Sequence, residues 1–118
     1  MKITKNIQKI IESNPIALAT IKDKNPYVIA VSCCKIIDNN KILITDNFMT
    51  RTTKNITFNP EVALVVWDKR WNGYQLLGTA KYYRKGKWLG YVKKLKENKN
   101  LPAKGAIIIK VERIIKSK

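Results

Sequence analysis

Ile3, Ile7, Ile10 and Ile11 recur at i, i+4, i+7 and i+8, one face of a helix, while Lys5, Lys9 and Glu12 fall off it. Asn14-Pro15 ends that helix. The period then drops to two. Ile16–Lys22 reads as a strand and Asp23-Lys24-Asn25-Pro26 as a turn. Tyr27–Ile37 reads as one longer strand, and Asp38-Asn39-Asn40 turns into a third at Lys41–Thr45. Strands this closely spaced form an antiparallel meander.

A helix over Thr50–Phe58 follows, stopped by Asn59-Pro60, and Glu61–Asp68 is an apolar strand of buried type. Trp71-Asn72-Gly73 leads into a strand at Tyr74–Tyr83, where Gly78 signals a bulge or a sharp bend. Arg84-Lys85-Gly86 opens a helix over Lys87–Asn98, with Trp88, Leu89, Tyr91, Val92 and Leu95 on one side and Lys87, Lys93, Lys94 and Lys96 on the other. After Pro102 the last strand is Ala106–Val111. The order α-βββ-α-ββ-α-β has too few helices to cover a parallel sheet. It predicts a mainly β fold, a six-stranded antiparallel barrel with helices packed outside it, as one domain over residues 1–118.

Within this frame Leu43–Asn59 carries the candidate chemistry. An apolar strand breaks at Thr45-Asp46-Asn47 and hands over to a helix bearing Arg51, Thr52, Thr53 and Lys54. A helix start leaves backbone N–H groups unpaired at the positive end of the helix dipole, and a guanidinium can bind two oxygens at once. Together these make a phosphate site. The plain alternative is a solvated, capped helix start, with Asp46 a turn-former and Lys54 a charge on the helix face.

Composition narrows the chemistry. Lys+Arg number 24 against Asp+Glu 8, a net charge of +16, which attracts polyanions and anionic ligands. The excess is lysine spread along the chain, densest over Lys81–Lys99. The absence of histidine removes Ser-His-Asp and Cys-His catalysis and His-containing zinc sites, so redox or transfer chemistry needs a borrowed organic cofactor. No catalytic side chain and no metal ligand stands out. Cys33 and Cys34 are adjacent, face opposite ways on a strand, and read as reduced packing residues. No run is long enough for a membrane span, and the charged, periodic N-terminus is unlike a signal peptide, so a cytoplasmic protein is the expectation.

The same order, with ALATIKDKNPYVIAV, LITDNFMTRTTKN, NPEVALVVWD and GYQLLGTAKY, resembles the FMN-binding split-barrel family. Its best-known branch is pyridoxamine 5′-phosphate oxidase, and its smaller members include flavin-binding proteins of anaerobes. The resemblance implies FMN as cofactor and an oxidoreductase or electron carrier working with a small-molecule or protein redox partner. It also implies a homodimer with FMN at the interface. In the family a Ser/Thr–Arg/Lys–Lys/Thr run after the third strand holds the flavin phosphate, which corresponds to Thr50, Arg51 and Thr52. The second strand lies along the ring and ribityl chain, which corresponds to Ala30, Val31 and Ser32, acting largely through backbone groups. Thr45, Asp46 and Asn47 correspond to the segment edging the ring.

Two departures set the chain apart from the oxidase proper: Tyr27–Ile37 carries no arginine, and there is no late histidine for a pyridoxal ring. Other split barrels take the deazaflavin F420 or haem, and ordinary haem ligation lacks its histidine here. The remaining alternative is a small basic barrel binding nucleic acid, for which the charge and Trp67, Trp71 and Tyr74 speak. Against it, the strands stay apolar and the lysines gather on one helix instead of one barrel face. Dimerisation is expected through apolar surface on Val62–Trp67 and the last strand.

Overall fold

The computed structural model describes residues 2–32 and 34–117. Helix α1 (Lys5–Ser13) leads into β1 (Ile16–Lys22), β2 (Asn25–Val31), β3 (Cys34–Asp38) and β4 (Lys41–Asp46). Helix α2 (Arg51–Phe58), β5 (Glu61–Trp67), β6 (Gly73–Tyr83), α3 (Lys87–Lys94), a 3₁₀ turn at Lys96–Asn98 and β7 (Gly105–Lys116) complete the chain. The fold is the expected antiparallel barrel with flanking helices, built from seven strands instead of six. The segment expected as one strand over Tyr27–Ile37 is two. β2 pairs only with β1, and β3 only with β4. Period-two alternation runs on through both pieces, so nothing local marks the switch of partner. Cys33 lies outside the described residues, and Cys34 is buried.

The strand order is β2-β1-β5-β6-β7-β4-β3, every neighbour antiparallel. This order explains the closure. Laid flat, the outer strands of seven spaced about 4.8 Å apart would be about 29 Å from each other. Val31 and Cys34 are three residues apart in the chain, so their Cα atoms lie within about 11 Å. The sheet has to curl until the end of β2 comes close to the start of β3.

Alternation sorts the side chains of β4 and β7. Ile42, Ile44, Ile107, Ile109 and Val111 point inward and join Ile16, Leu18, Leu64, Val66 and Leu76 in the barrel core. Leu43, Ala106 and Ile108 point outward and are covered by Val92 of α3. Val62, Leu64 and Val66 likewise face the core. The apolar surface expected on Val62–Trp67 and the last strand is therefore mostly consumed within the chain. Exposed large apolar residues stand instead at Val28, Phe48 and Leu101, among others.

Gly78 does mark a bulge. Leu77 faces Arg113 but Gly78 faces Val111, so β7 carries one extra residue there. A Cβ on Gly78 would lie 2.1 Å from the Lys110 carbonyl oxygen, so no other residue fits this close approach. Helix α3 stops at Lys94, short of the expected Asn98. Leu95 is extended and donates its N–H to the Val92 carbonyl at 3.3 Å, and the Asn98 amide turns back to donate to the same oxygen at 2.9 Å. No helix among the described residues is long and apolar enough to cross a membrane.

Candidate cofactor site

The two edge strands end differently. The edge of β3 is covered by α1, whose Glu12 carboxylate accepts the Ile36 N–H at 2.8 Å. Beyond its pairing with β1, β2 has a second edge that no strand among the described residues takes up. Its backbone groups border a cavity of about 370 Å³, within the usual range of small-molecule sites.

Seven of the nine residues singled out from the sequence line this cavity: Ala30, Val31 and Ser32 from the end of β2, Thr45 and Asn47 from the end of β4, and Thr50 and Thr52 from the start of α2. Arg51 lines an adjoining cavity of about 610 Å³ that shares Tyr27 and Thr50 with the first. Its guanidinium carbon stands 5.3 Å from the Tyr27 ring centroid, a cation–π contact that keeps the charge at the junction of the two. The Thr50 hydroxyl does not cap α2, and the first turn has no acidic residue. The free N–H groups at the positive end of α2 are therefore not met by a carboxylate of that turn. Lys54 lines the Arg51 cavity as well.

Asp46 stands elsewhere. It is 1% exposed and faces away from the β2 cavity. One carboxylate oxygen accepts the Tyr82 hydroxyl at 2.5 Å; the other accepts the Met49 N–H at 2.9 Å and lies 3.7 Å from the Lys104 ammonium. Lys104 also donates to the Met49 carbonyl at 2.9 Å. Burial first, then the hydrogen bond and charge of Asp46, push the Tyr82 phenol up to about 12. Gly105 makes room for this arrangement, since a Cβ there would meet the Tyr82 ring at 2.6 Å.

Sequence reasoning missed the residues that brace the cavity. The buried Asn98 donates to the Thr45 hydroxyl at 2.8 Å and accepts from the Asn47 amide at 3.3 Å, while the Asn47 carbonyl accepts the Ala103 N–H at 2.8 Å. Asn98 lies in a lysine-rich stretch, and the lone local hint is a helical apolar face that ends before it. Tyr27, Phe48, Met49 and Leu101 also line the cavity and were not among the candidates. Trp71 is exposed and Trp67 partly so, and neither borders it.

A seven-stranded split barrel with a cavity on the open edge of β2 defines a class, and comparison with known proteins names it. The family model of pyridoxamine 5′-phosphate oxidase matches residues 3–118. An uncharacterised protein of Methanocaldococcus jannaschii is 38% identical over 119 residues, covering 97% of this chain and 80% of the relative. Among solved structures, HupZ of Group A Streptococcus superposes with a TM-score of 0.90 at 24% identity, over 98% of this chain and 94% of that one. An FMN-binding protein from Syntrophomonas wolfei gives 0.73 at 16% identity, over 96% and 80%. An F420 reductase gives 0.70 at 20% identity, over 90% and 92%. The chain belongs to the pyridoxamine 5′-phosphate oxidase family.

Proposed function

We propose that the chain is an FMN-binding flavoprotein, an oxidoreductase or electron carrier of this family, and not the pyridoxamine phosphate oxidase itself. The observation that carries this is the meeting, at one cavity on the open edge of β2, of Ala30, Val31, Ser32, Thr45, Asn47, Thr50 and Thr52, with Arg51 on the adjoining wall. Arg51 and the N–H groups of the first turn of α2 bind the phosphate, aided by Thr50 and Thr52. The free backbone groups of Ala30–Ser32 take the polar edge of the ring system and its side chain. Thr45 and Asn47 border the ring, held by Asn98. When bound, the flavin supplies one- and two-electron transfer, which no side chain of the chain provides.

The lack of histidine and of an arginine in β2 speaks against a pyridoxal-type substrate. The working form is a two-fold dimer in the cytoplasm. Support for the dimer comes from Phe48 (74% exposed) and Leu101 (40% exposed) on the cavity wall, apolar surface that a second copy would cover.

The test is titration of the purified chain with FMN, followed by flavin fluorescence. Quenching that saturates at one FMN per chain is expected, with riboflavin weaker because it lacks the phosphate. No quenching in excess FMN would sink the proposal. Sedimentation at micromolar concentration checks the dimer, and a stable monomer overturns it.

A further inference from the structure

A third and larger cavity, of about 1070 Å³, lies along α2 and meets the Arg51 cavity at Lys22, Thr50 and Lys54. Its walls bear five cations: Lys22, Lys54, Arg84, Lys85 and Lys104. The single carboxylate that reaches it is Asp46, and both oxygens of Asp46 are already taken, by Tyr82 and by Met49 with Lys104. Among the described residues no carboxylate stands within 4 Å of the charges of Lys22, Lys54, Arg84 or Lys85. Four uncompensated cations around one concavity repel one another and focus a positive field into it. A ligand with several negative charges on neighbouring atoms relieves that repulsion; a single carboxylate would not.

The same cavity offers a flat apolar face. Phe58, the last residue of α2, is 55% exposed on its wall, with the Lys22 ammonium 5.4 Å from the ring centroid. An exposed aromatic face stacks a nucleobase, and the adjacent cation suits the phosphate that follows it. Inorganic phosphate would leave most of this volume empty. An extended strand of nucleic acid calls for a row of aromatic platforms, and this cavity has one exposed ring.

We propose that this cavity is a binding site for a nucleoside polyphosphate, its base against Phe58 and its phosphate chain among Lys54, Arg84, Lys85 and Lys104. The site lies across the 46–50 turn from the proposed flavin cavity, shares Met49 and Thr50 with it, and shares Lys22, Thr50 and Lys54 with the adjoining Arg51 cavity. With its phosphate chain centred on Arg84, Lys85 and Lys104, and Arg51 left outside this cavity, the nucleotide binds together with FMN. The proposal does not depend on FMN, because flavin and nucleotide binding are read by separate signals.

The test is a fluorescence anisotropy titration of the full chain with methylanthraniloyl-ATP at about 0.15 M salt, where exposed charges are screened within about 8 Å. Saturation at one nucleotide per chain is expected, with ATP and tripolyphosphate competing and adenosine competing weakly. Arg84→Ala with Lys85→Ala should weaken binding by at least about ten-fold, equal to about 1.4 kcal/mol. Both residues are exposed, so the variant keeps its fold, which circular dichroism checks. Phe58→Ala should weaken ATP more than tripolyphosphate. Lys93→Ala with Lys94→Ala removes the same charge from α3 and should change affinity less than about two-fold.

Equal losses from the two lysine and arginine pairs would mean general attraction to polyanions and would overturn the site. So would displacement of the probe by stoichiometric FMN, or tighter binding of a single-stranded oligonucleotide that the Arg84 and Lys85 changes abolish.

Discussion

On one side of the turn between β4 and α2, Asn47 is held by neutral partners, the Asn98 side chain and the Ala103 N–H. On the other side its neighbour Asp46 is held by a phenol, a backbone N–H and a lysine. Both residues tie one short turn to the segment after α3, Asn47 through Asn98 and Ala103 and Asp46 through Lys104, and Asp46 alone adds a tie to Tyr82 of β6. The neutral side borders the cavity proposed for the flavin ring, and the charged side borders the cavity with five cations. A carboxylate facing the ring cavity would repel an anionic ligand. Turned the other way, it compensates Lys104 and leaves the ring cavity to dipoles. The difference teaches that one turn can present its acidic residue to cations and its neutral neighbour to a separate cavity.

The largest effect is expected from Asp46→Ala. It leaves the Tyr82 hydroxyl and the Met49 N–H without their acceptor, at a cost of about 2–4 kcal/mol for two orphaned groups. Chemical denaturation measures this. A loss below about 1 kcal/mol would mean that solvent replaces the carboxylate and that the charged anchor is dispensable.

Arg51→Ala comes next and acts on the other side alone. FMN affinity should fall by about 1.5–3 kcal/mol, the worth of hydrogen bonds to a charged group, or roughly ten- to a hundred-fold. Riboflavin should lose much less, and stability should hardly move because Arg51 is exposed. Equal losses for FMN and riboflavin would move the phosphate away from the start of α2.

Asn98→Ala tests the neutral anchor without touching the proposed ligand. Losing bonds to Thr45, Asn47 and the Val92 carbonyl should cost about 1–3 kcal/mol of stability. FMN and riboflavin should weaken together, since the ring wall loosens and the phosphate end does not. A selective loss of FMN would contradict the placement of the ring.

The smallest effect lies at high pH. The Tyr82 phenol titrates at about 12 in the folded chain against an ordinary 10.0, because burial and Asp46 disfavour the phenolate. Its contribution to stability is complete below about 10 and is lost as pH rises through about 12. Absorbance of tyrosinate should show one of the five tyrosines ionising late, and Tyr82→Phe should remove that late step. An unchanged profile in Tyr82→Phe would mean that the charged anchor is open to water.

The alternation of apolar residues was enough to read five of the seven strands, the three helices and the irregularity at Gly78, because period and turn residues are local properties of the chain. The helix start at Arg51 was legible for the same reason: a polar break, then threonine and arginine, is a short-range pattern. Resemblance to a family then joined these pieces into a split barrel.

Three matters were decided only by tertiary structure. Tyr27–Ile37 became two strands because β2 and β3 find partners at opposite ends of the sheet, and a change of partner leaves no trace in period two. Asp46 turned from the cavity on the β2 edge because Tyr82 and Lys104, 36 and 58 residues onward, offer it partners that the turn itself lacks. Asn98 braces Thr45 from 53 residues away, a distance over which hydrogen bonds between side chains follow from folding and not from spacing.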